Sequence, residues 1–132
     1  TLFRSPLAHA ILRGGVDKYG TNIPNYHFED LTRLCALYAE SGLSNPACIV
    51  DANHSNSGKK FREQVRIVSE VLHSRAHNDG VRALVKGVMV ESYLVEGAQK
   101  ISDHMVRGQS ITDPCLGWDD TERLLLAIAD RV

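Results

Sequence analysis

The chain has 132 residues, of which 43% are hydrophobic and 23% charged, proportions typical of a globular domain and not of a disordered or collagen-like chain. Fifteen lysines and arginines nearly balance sixteen acidic residues, so no excess charge predicts a nucleic acid or an anionic membrane as partner. The longest apolar run, 124–129, is far shorter than the roughly 20 residues that span a bilayer. These features predict a cytoplasmic protein whose partner is a small molecule or another protein.

Three short apolar segments, 9–13, 47–51 and 84–91, are predicted to be strands. Each is almost continuously apolar and ends at a polar residue, namely Arg13, Asp51 or Glu91. Such strands are typical of a parallel sheet whose two faces are both covered by crossover helices. Because the carboxyl ends of these strands lie on one side of the sheet, we expect their polar residues to gather there.

The segments between and after these strands carry helical periodicity. The first helix begins at Phe28, has its apolar stripe at residues 31, 34, 35 and 38, and stops at Gly42. The second has Ser57 as N-cap, an apolar face at residues 61, 65, 68 and 72, and a break at 78–80. The third starts with a capping box of Asp119 and Glu122, followed by a stripe at residues 124, 125, 128 and 132. Three strand–helix units are therefore predicted.

The predicted fold class is α/β, with parallel strands and crossover helices. A three-stranded sheet has two open edges and little apolar face to cover, so it looks incomplete. One interpretation is a part of an eight-stranded (β/α) barrel, which needs about 250 residues. The other is a small α/β domain that is complete in itself.

Candidate metal ligands lie at or beyond the ends of the predicted strands. His54 lies in the segment DANHSNS after the second strand, Glu91 ends the third, and Asp113 lies in the connection beyond it. One imidazole and two carboxylates suit a divalent ion such as Mn²⁺, Fe²⁺, Co²⁺ or Zn²⁺. Polar residues at strand ends also cap helices or bind water, and a hydrogen-bonded loop histidine explains His54 equally well. The residues alone leave both interpretations open.

A candidate anion site lies at the end of the first predicted strand. Arg13 is followed by Gly14 and Gly15, so a guanidinium stands beside backbone that a ligand can approach closely. This combination suits a phosphate or a carboxylate. An arginine paired with an acidic neighbour beside a glycine turn explains the same residues.

Five segments together resemble a known family. In chain order they are HAILRGG, NYHFEDL, IVDANHSNSGK, GVMVESYLVEGAQ and GQSITDPCLGWDDTERLL. They closely resemble the carboxyl-terminal part of the microbial class I 3-deoxy-D-arabino-heptulosonate 7-phosphate (DAHP) synthases. The resemblance implies that residues 1–132 are the last three βα units of a single (β/α)8 TIM-barrel catalytic domain, incomplete on its own.

The resemblance also implies an activity and a set of roles. Synthases of this family join phosphoenolpyruvate to erythrose 4-phosphate, giving DAHP and phosphate in the first step of the shikimate pathway to aromatic amino acids. Matched by motif, His54, Glu91 and Asp113 are expected to be metal ligands, with His54 also catalytic, and Arg13 is expected to bind the phosphate of phosphoenolpyruvate. The family's fourth metal ligand is a cysteine outside the matched segments.

Several further expectations follow from this resemblance. The cofactor is expected to be a divalent metal, the complete enzyme a homo-oligomer, and the 132-residue chain alone inactive. Two alternatives remain: a related 3-deoxy-octulosonate 8-phosphate type synthase that uses arabinose 5-phosphate, and a non-catalytic module that binds anions or supports assembly.

Overall fold

The structure is a computed structural model that describes residues 7–132, so residues 1–6 of the expected domain lie outside the described part. Its elements in chain order are β1 (Ala10–Leu12), β2 (Gly15–Val16), β3 (Asn22–Ile23), α1 (Phe28–Ser41), β4 (Cys48–Asp51), α2 (His54–Ser57), α3 (Glu63–His77), α4 (Asp79–Leu84), β5 (Val85–Met89), β6 (Val95–Ala98), β7 (Gln109–Ser110) and α5 (Trp118–Ala129). Among the described residues, no helix is both long enough and apolar enough to cross a membrane.

The central element is a parallel sheet of three strands in the order β1, β4, β5. Ile11 pairs with Ile49 across β1 and β4, and Val50 pairs with Val88 across β4 and β5. The three predicted strands and the α/β class with parallel strands are therefore confirmed, although each strand is shorter than its predicted range. Beyond β5, a single parallel bridge joins Ser92 to Leu116.

Two small additions to the sheet were not indicated by the sequence patterns. β2 and β3 form an antiparallel pair directly after β1, and β6 and β7 form a parallel pair after β5. Their strands have two to four residues, too few to show a hydrophobic period. Both pairs lie beyond the carboxyl ends of the main strands, where the site residues are.

The core lies between one face of the sheet and the helices. Cys48 and Val50 of β4 are fully buried there together with Leu31 of α1 and Ile67 of α3. The side chains of the alternate positions lie on the other face, where Ile11 is 45% exposed. Burial of both faces was expected, but within residues 7–132 only one face is covered.

The first predicted helix is confirmed and the second is corrected. α1 spans the predicted range, and Gly42 ends it in the left-handed conformation with φ of +63°. Ser57 is not the N-cap of the second helix, because α3 starts at Glu63 and Ser57 is the last residue of α2. The break at 78–80 ends α3 as predicted, but Asn78 then caps α4 by accepting the N–H of Val81.

The buried face of α3 also differs from the predicted one. Val65, which was placed on that face, is 37% exposed, whereas Gln64 is fully buried beside Ile67, Val68 and Val71. The buried face is therefore shifted from the predicted stripe. A pattern of apolar residues cannot reveal this shift, because the buried face includes Gln64, which is polar.

The start of the third predicted helix is wrong as well. α5 begins at Trp118 with Gly117 as N-cap, so Asp119 already lies in the first turn and forms no capping box with Glu122. Leu124 is buried as expected, but Leu125 is 55% exposed and Val132 is 78% exposed. Val132 lies beyond the end of the helix at Ala129, which removes it from the stripe.

Candidate metal centre

Three side chains with metal-binding chemistry meet at the carboxyl edge of the parallel sheet. His54 opens α2 just after β4, Glu91 follows β5, and Asp113 follows β7. One ligand atom from each lies within 4.8 Å of those of the other two. The Nε2 atom of His54 is 3.3 Å from Glu91 Oε1 and 3.7 Å from Asp113 Oδ2. The structure thus brings together all three residues that the sequence singled out.

A tight turn after β4 determines where the His54 ring lies. The Oδ1 atom of Asp51 accepts the backbone N–H of Asn53 at 2.9 Å, and Ser57 Oγ donates to Asn53 Oδ1 at 2.8 Å. His54 itself has φ of +48°, in the left-handed region that costs a non-glycine residue about 1–2 kcal/mol. The surrounding hydrogen bonds hold this conformation.

The buried carboxylate of Asp51 connects the two candidate sites. Asp51 is fully buried, and its Oδ2 lies 3.0 Å from Arg13 Nε and 2.9 Å from His54 Nδ1. The contact with His54 lacks hydrogen-bond geometry, so this Nδ1 is buried without a hydrogen-bond partner in the described structure. Sequence reasoning treated Asp51 only as the end of a strand. An aspartate three residues before a candidate ligand was the available signal.

Arg13 contacts the His54 ring on its other side. Its Nη2 donates to His54 Nε2 at 2.6 Å. Because a guanidinium has only donors, Nε2 is the acceptor, and the proton of the neutral ring lies on Nδ1 beside Asp51. This bond uses the one lone pair of Nε2, and Glu91 Oε1 and Asp113 Oδ2 lie near the same nitrogen. Arg13 thus has the acidic partner that the simpler interpretation expected, and its side chain is still half-exposed.

Asn56 joins the ends of β1 and β4, the two strands that precede Arg13 and His54 in the chain. It is 5% exposed, and its Nδ2 donates to Leu12 O at 3.0 Å and to Asp51 O at 2.8 Å. Its Oδ1 accepts the N–H of Asn25 at 2.9 Å. These bonds hold the turn after β4 against the end of β1.

The sequence profile described as the DAHP synthetase I family matches residues 4–126. The chain belongs to the DAHP synthetase I family. The resemblance found in the five sequence segments is confirmed by this match. Family membership suggests a divalent metal, and the cluster of His54, Glu91 and Asp113 offers a site of suitable chemistry.

Relatives of the chain in different organisms share one enzyme name. It is 43% identical to the phospho-2-dehydro-3-deoxyheptonate aldolase of Haemophilus influenzae over 126 residues, which are 94% of the chain and 32% of the relative. It is 38% identical to the Trp-sensitive enzyme of that name from Escherichia coli over 130 residues, 97% of the chain and 34% of the relative. The chain therefore spans about a third of these proteins.

A solved structure shows the same arrangement of the backbone. The phospho-2-dehydro-3-deoxyheptonate aldolase of Francisella tularensis superposes with a TM-score of 0.84 at 28% sequence identity. The superposition covers 97% of this chain and 35% of that structure. The α/β arrangement of the chain therefore matches that of about a third of this solved enzyme.

Two further residues of this family member adjoin the metal cluster and were not predicted. Lys59 Nζ lies 3.3 Å from Asp113 Oδ1. Cys115 Sγ lies 3.4 Å from Asp113 O, and burial raises the pKa of its thiol, as do the charges of Glu91 and Asp113, whereas a hydrogen bond with Ser110 lowers it. The net effect keeps this thiol protonated at neutral pH. Around His54 the carboxylates outnumber the cationic side chains, which favours a bound cation.

Proposed function

We propose that this chain provides the metal-binding and phosphate-binding part of a DAHP synthase. In the proposed reaction, C3 of phosphoenolpyruvate bonds to the aldehyde carbon of erythrose 4-phosphate, water adds at C2, and phosphate leaves by C–O cleavage. The observation that carries the proposal is the convergence of one imidazole and two carboxylates within 4.8 Å. The names of the relatives supply the reaction class.

The proposal includes a place for the chain in a larger fold. Residues 1–132 form the carboxyl-terminal part of a (β/α)8 barrel that makes a single catalytic domain. Three adjacent parallel strands in sequential order support this placement, because a barrel is built from such βα units. The parallel bridge from Ser92 to Leu116 supports it too, since it adds a further parallel contact beyond β5. Association into a homo-oligomer stays a prediction.

The donor set fits a divalent ion. His54 offers a nitrogen and Glu91 and Asp113 offer anionic oxygens, a mixed set suited to Mn²⁺, Fe²⁺, Co²⁺ or Zn²⁺. The carboxylate of Asp51, whose Oδ2 lies 2.9 Å from His54 Nδ1, is a suitable neighbour for the second nitrogen of a ligating ring, although the contact does not have hydrogen-bond geometry in this structure. When bound, such an ion supplies Lewis acidity for the aldehyde oxygen.

Each residue of the site has a distinct part in this proposal. His54 is a catalytic residue as an ion ligand through Nε2, and Arg13, which donates to this nitrogen in the structure, releases it when the ion binds. Arg13 holds the phosphate of phosphoenolpyruvate, because Asp51 fixes its Nε and its half-exposed guanidinium has further donors. Lys59 orients Asp113 through the Oδ1 atom that His54 does not approach.

Titration of the purified chain with Mn²⁺ tests the proposal. We expect Mn²⁺ to raise the melting temperature, since an ion at 100 times its dissociation constant stabilises the folded state by about 2.7 kcal/mol. The variant His54→Ala is expected to lose this shift. The control His73→Ala removes an exposed histidine of α3 and is expected to keep it.

Two results would contradict the proposal. One is the absence of a Mn²⁺-dependent shift in the wild-type chain, and the other is a shift that survives in His54→Ala. A non-catalytic anion-binding module predicts stabilisation by inorganic phosphate without stabilisation by Mn²⁺. Measuring both ligands on the same three proteins therefore separates the enzyme from the module.

A further inference from the structure

A buried amide contacts the backbone of one candidate metal ligand at two points. Gln64 lies in the first turn of α3 and is fully buried. Its Nε2 donates to the carbonyl oxygen of Glu91 at 3.1 Å, and its Oε1 accepts the N–H of the same residue at 2.8 Å. One side chain thus satisfies both backbone polar groups of Glu91.

These two bonds replace a strand partner that Glu91 lacks. β5 ends at Met89, and β4, its neighbour in the sheet, ends at Asp51, which is paired with Met89. Glu91 therefore lies beyond this ladder. Apart from Gln64, Leu116 N–H donates to Glu91 O at 3.0 Å. Without Gln64, the N–H of Glu91 would lose its protein partner, and an unsatisfied buried backbone group is unfavourable.

The chemistry of the contact requires an amide. A primary amide carries a donor and an acceptor and adds no charge. An ionised glutamate at this position would accept from the N–H of Glu91 but would bring its other oxygen against the carbonyl oxygen. An apolar residue would fit the face that Gln64 shares with Ile67 and Val68, but it would form neither bond.

We infer that Gln64 is a positioning residue of the metal centre. It holds the backbone of Glu91 so that the carboxylate of Glu91 stays 3.3 Å from His54 Nε2, and it does so from a helix that carries no metal ligand. The inference rests on the proposed metal centre. It adds a residue that touches neither the ion nor a substrate but affects ion binding through the orientation of a ligand.

The test compares two variants of buried polar residues on α3 by their affinity for Mn²⁺. Gln64→Met keeps the length and most of the volume of the side chain but removes both hydrogen bonds. Ser74→Ala removes a polar group that is 2% exposed and lies almost three turns further along the helix. Electron paramagnetic resonance of free Mn²⁺ gives the dissociation constant of each protein, and thermal unfolding gives its stability.

We expect Gln64→Met to raise the dissociation constant for Mn²⁺ by about 10- to 100-fold, the range seen when partners of metal ligands are removed. Ser74→Ala is expected to leave that constant within a factor of two of the wild type, whatever it does to the melting temperature. Equal affinity of the wild type and folded Gln64→Met would overturn the inference.

Two further outcomes are separated by the same samples. If the wild-type chain binds no Mn²⁺, or if His54→Ala binds it equally well, the proposed metal centre fails and the inference fails with it. If Gln64→Met does not fold, hydrogen exchange of the wild type decides the question. The N–H of Glu91 is expected to exchange as slowly as that of Ala52, which bonds to Met89 O at 2.9 Å, and fast exchange of Glu91 would overturn the inference.

Discussion

Gly14 lies at the contact between the end of β1 and the turn that carries His54. Its φ is +70°, and a Cβ atom at this position would lie 2.9 Å from Asn56 N, from Asn56 Oδ1 and from Ile23 O. The backbone of Gly14 also donates to Asn25 Oδ1 at 2.8 Å. Gly14 is therefore required here both for its positive φ and for its small size. The sequence favours the two glycines after Arg13 for the close approach of an anion, and the structure shows that Gly14 permits the close approach of Asn56.

Substituting Gly14 separates these two requirements. Gly14→Ala is expected to lower the free energy of unfolding by about 1–2 kcal/mol for the left-handed backbone and a further ~1–3 kcal/mol for the crowded Cβ atom. The control Gly20→Ala has φ of +83° but open space around its Cβ atom, so only the first contribution applies. Urea unfolding followed by circular dichroism measures both. Equal losses in the two variants would show that Asn56 moves aside without cost.

Helix α1 shows how far periodicity determines an element. Its stripe, its start at Phe28 and its end before Gly42 all agree with the prediction, because each depends on neighbouring residues in the chain. Helix α3 exists as predicted, but its buried face differs from the predicted one, because Gln64 forms hydrogen bonds with Glu91, which is distant in the sequence. The start of α5 differs because Gly117 occupies the cap position that was assigned to Asp119.

A pair of leucines on α1 tests the packing of this element. Leu31 is fully buried and Leu37 is 52% exposed, although both lie on the same helix. Leu31→Ala is expected to lower the free energy of unfolding by about 2–5 kcal/mol, because it leaves a cavity in the core. Leu37→Ala is expected to change it by no more than about 0.5 kcal/mol. Chemical denaturation of both variants checks this, and a small loss for Leu31→Ala would contradict the core described above.

On the scale of the whole molecule, the sheet is covered on one face and open at its edges. Ile11 and Met89 are 45% and 39% exposed, although both belong to strands of the central sheet. Main-chain groups along the outer side of β1 have no strand partner among the described residues. Both features are expected of part of a larger sheet, and unpaired edges promote association between copies.

The chain by itself is expected to show no turnover. Purified chain with Mn²⁺, phosphoenolpyruvate and erythrose 4-phosphate should release no phosphate above the blank, because the three strands of the central sheet are only part of the proposed barrel and cannot enclose both substrates. The Haemophilus influenzae relative, assayed in parallel, is the positive control. Light scattering on the same samples reports the self-association expected from the open edges. Phosphate release at a rate similar to that of the relative would contradict the proposed placement in a barrel.

The sequence by itself determined the three strands of the central sheet, the existence of the main helices and the family, and it singled out His54, Glu91 and Asp113, which the structure brings together. These depend on local periodicity, on strand ends and on motifs, which neighbouring residues specify. Only the tertiary structure decided that Asp51 lies between Arg13 and His54, and that Gln64 holds Glu91. Both depend on buried polar contacts between segments distant in the chain. Buried hydrogen-bonding groups must find polar partners inside the protein. The sequence does not show which groups these are, because they are removed from water only when the chain folds.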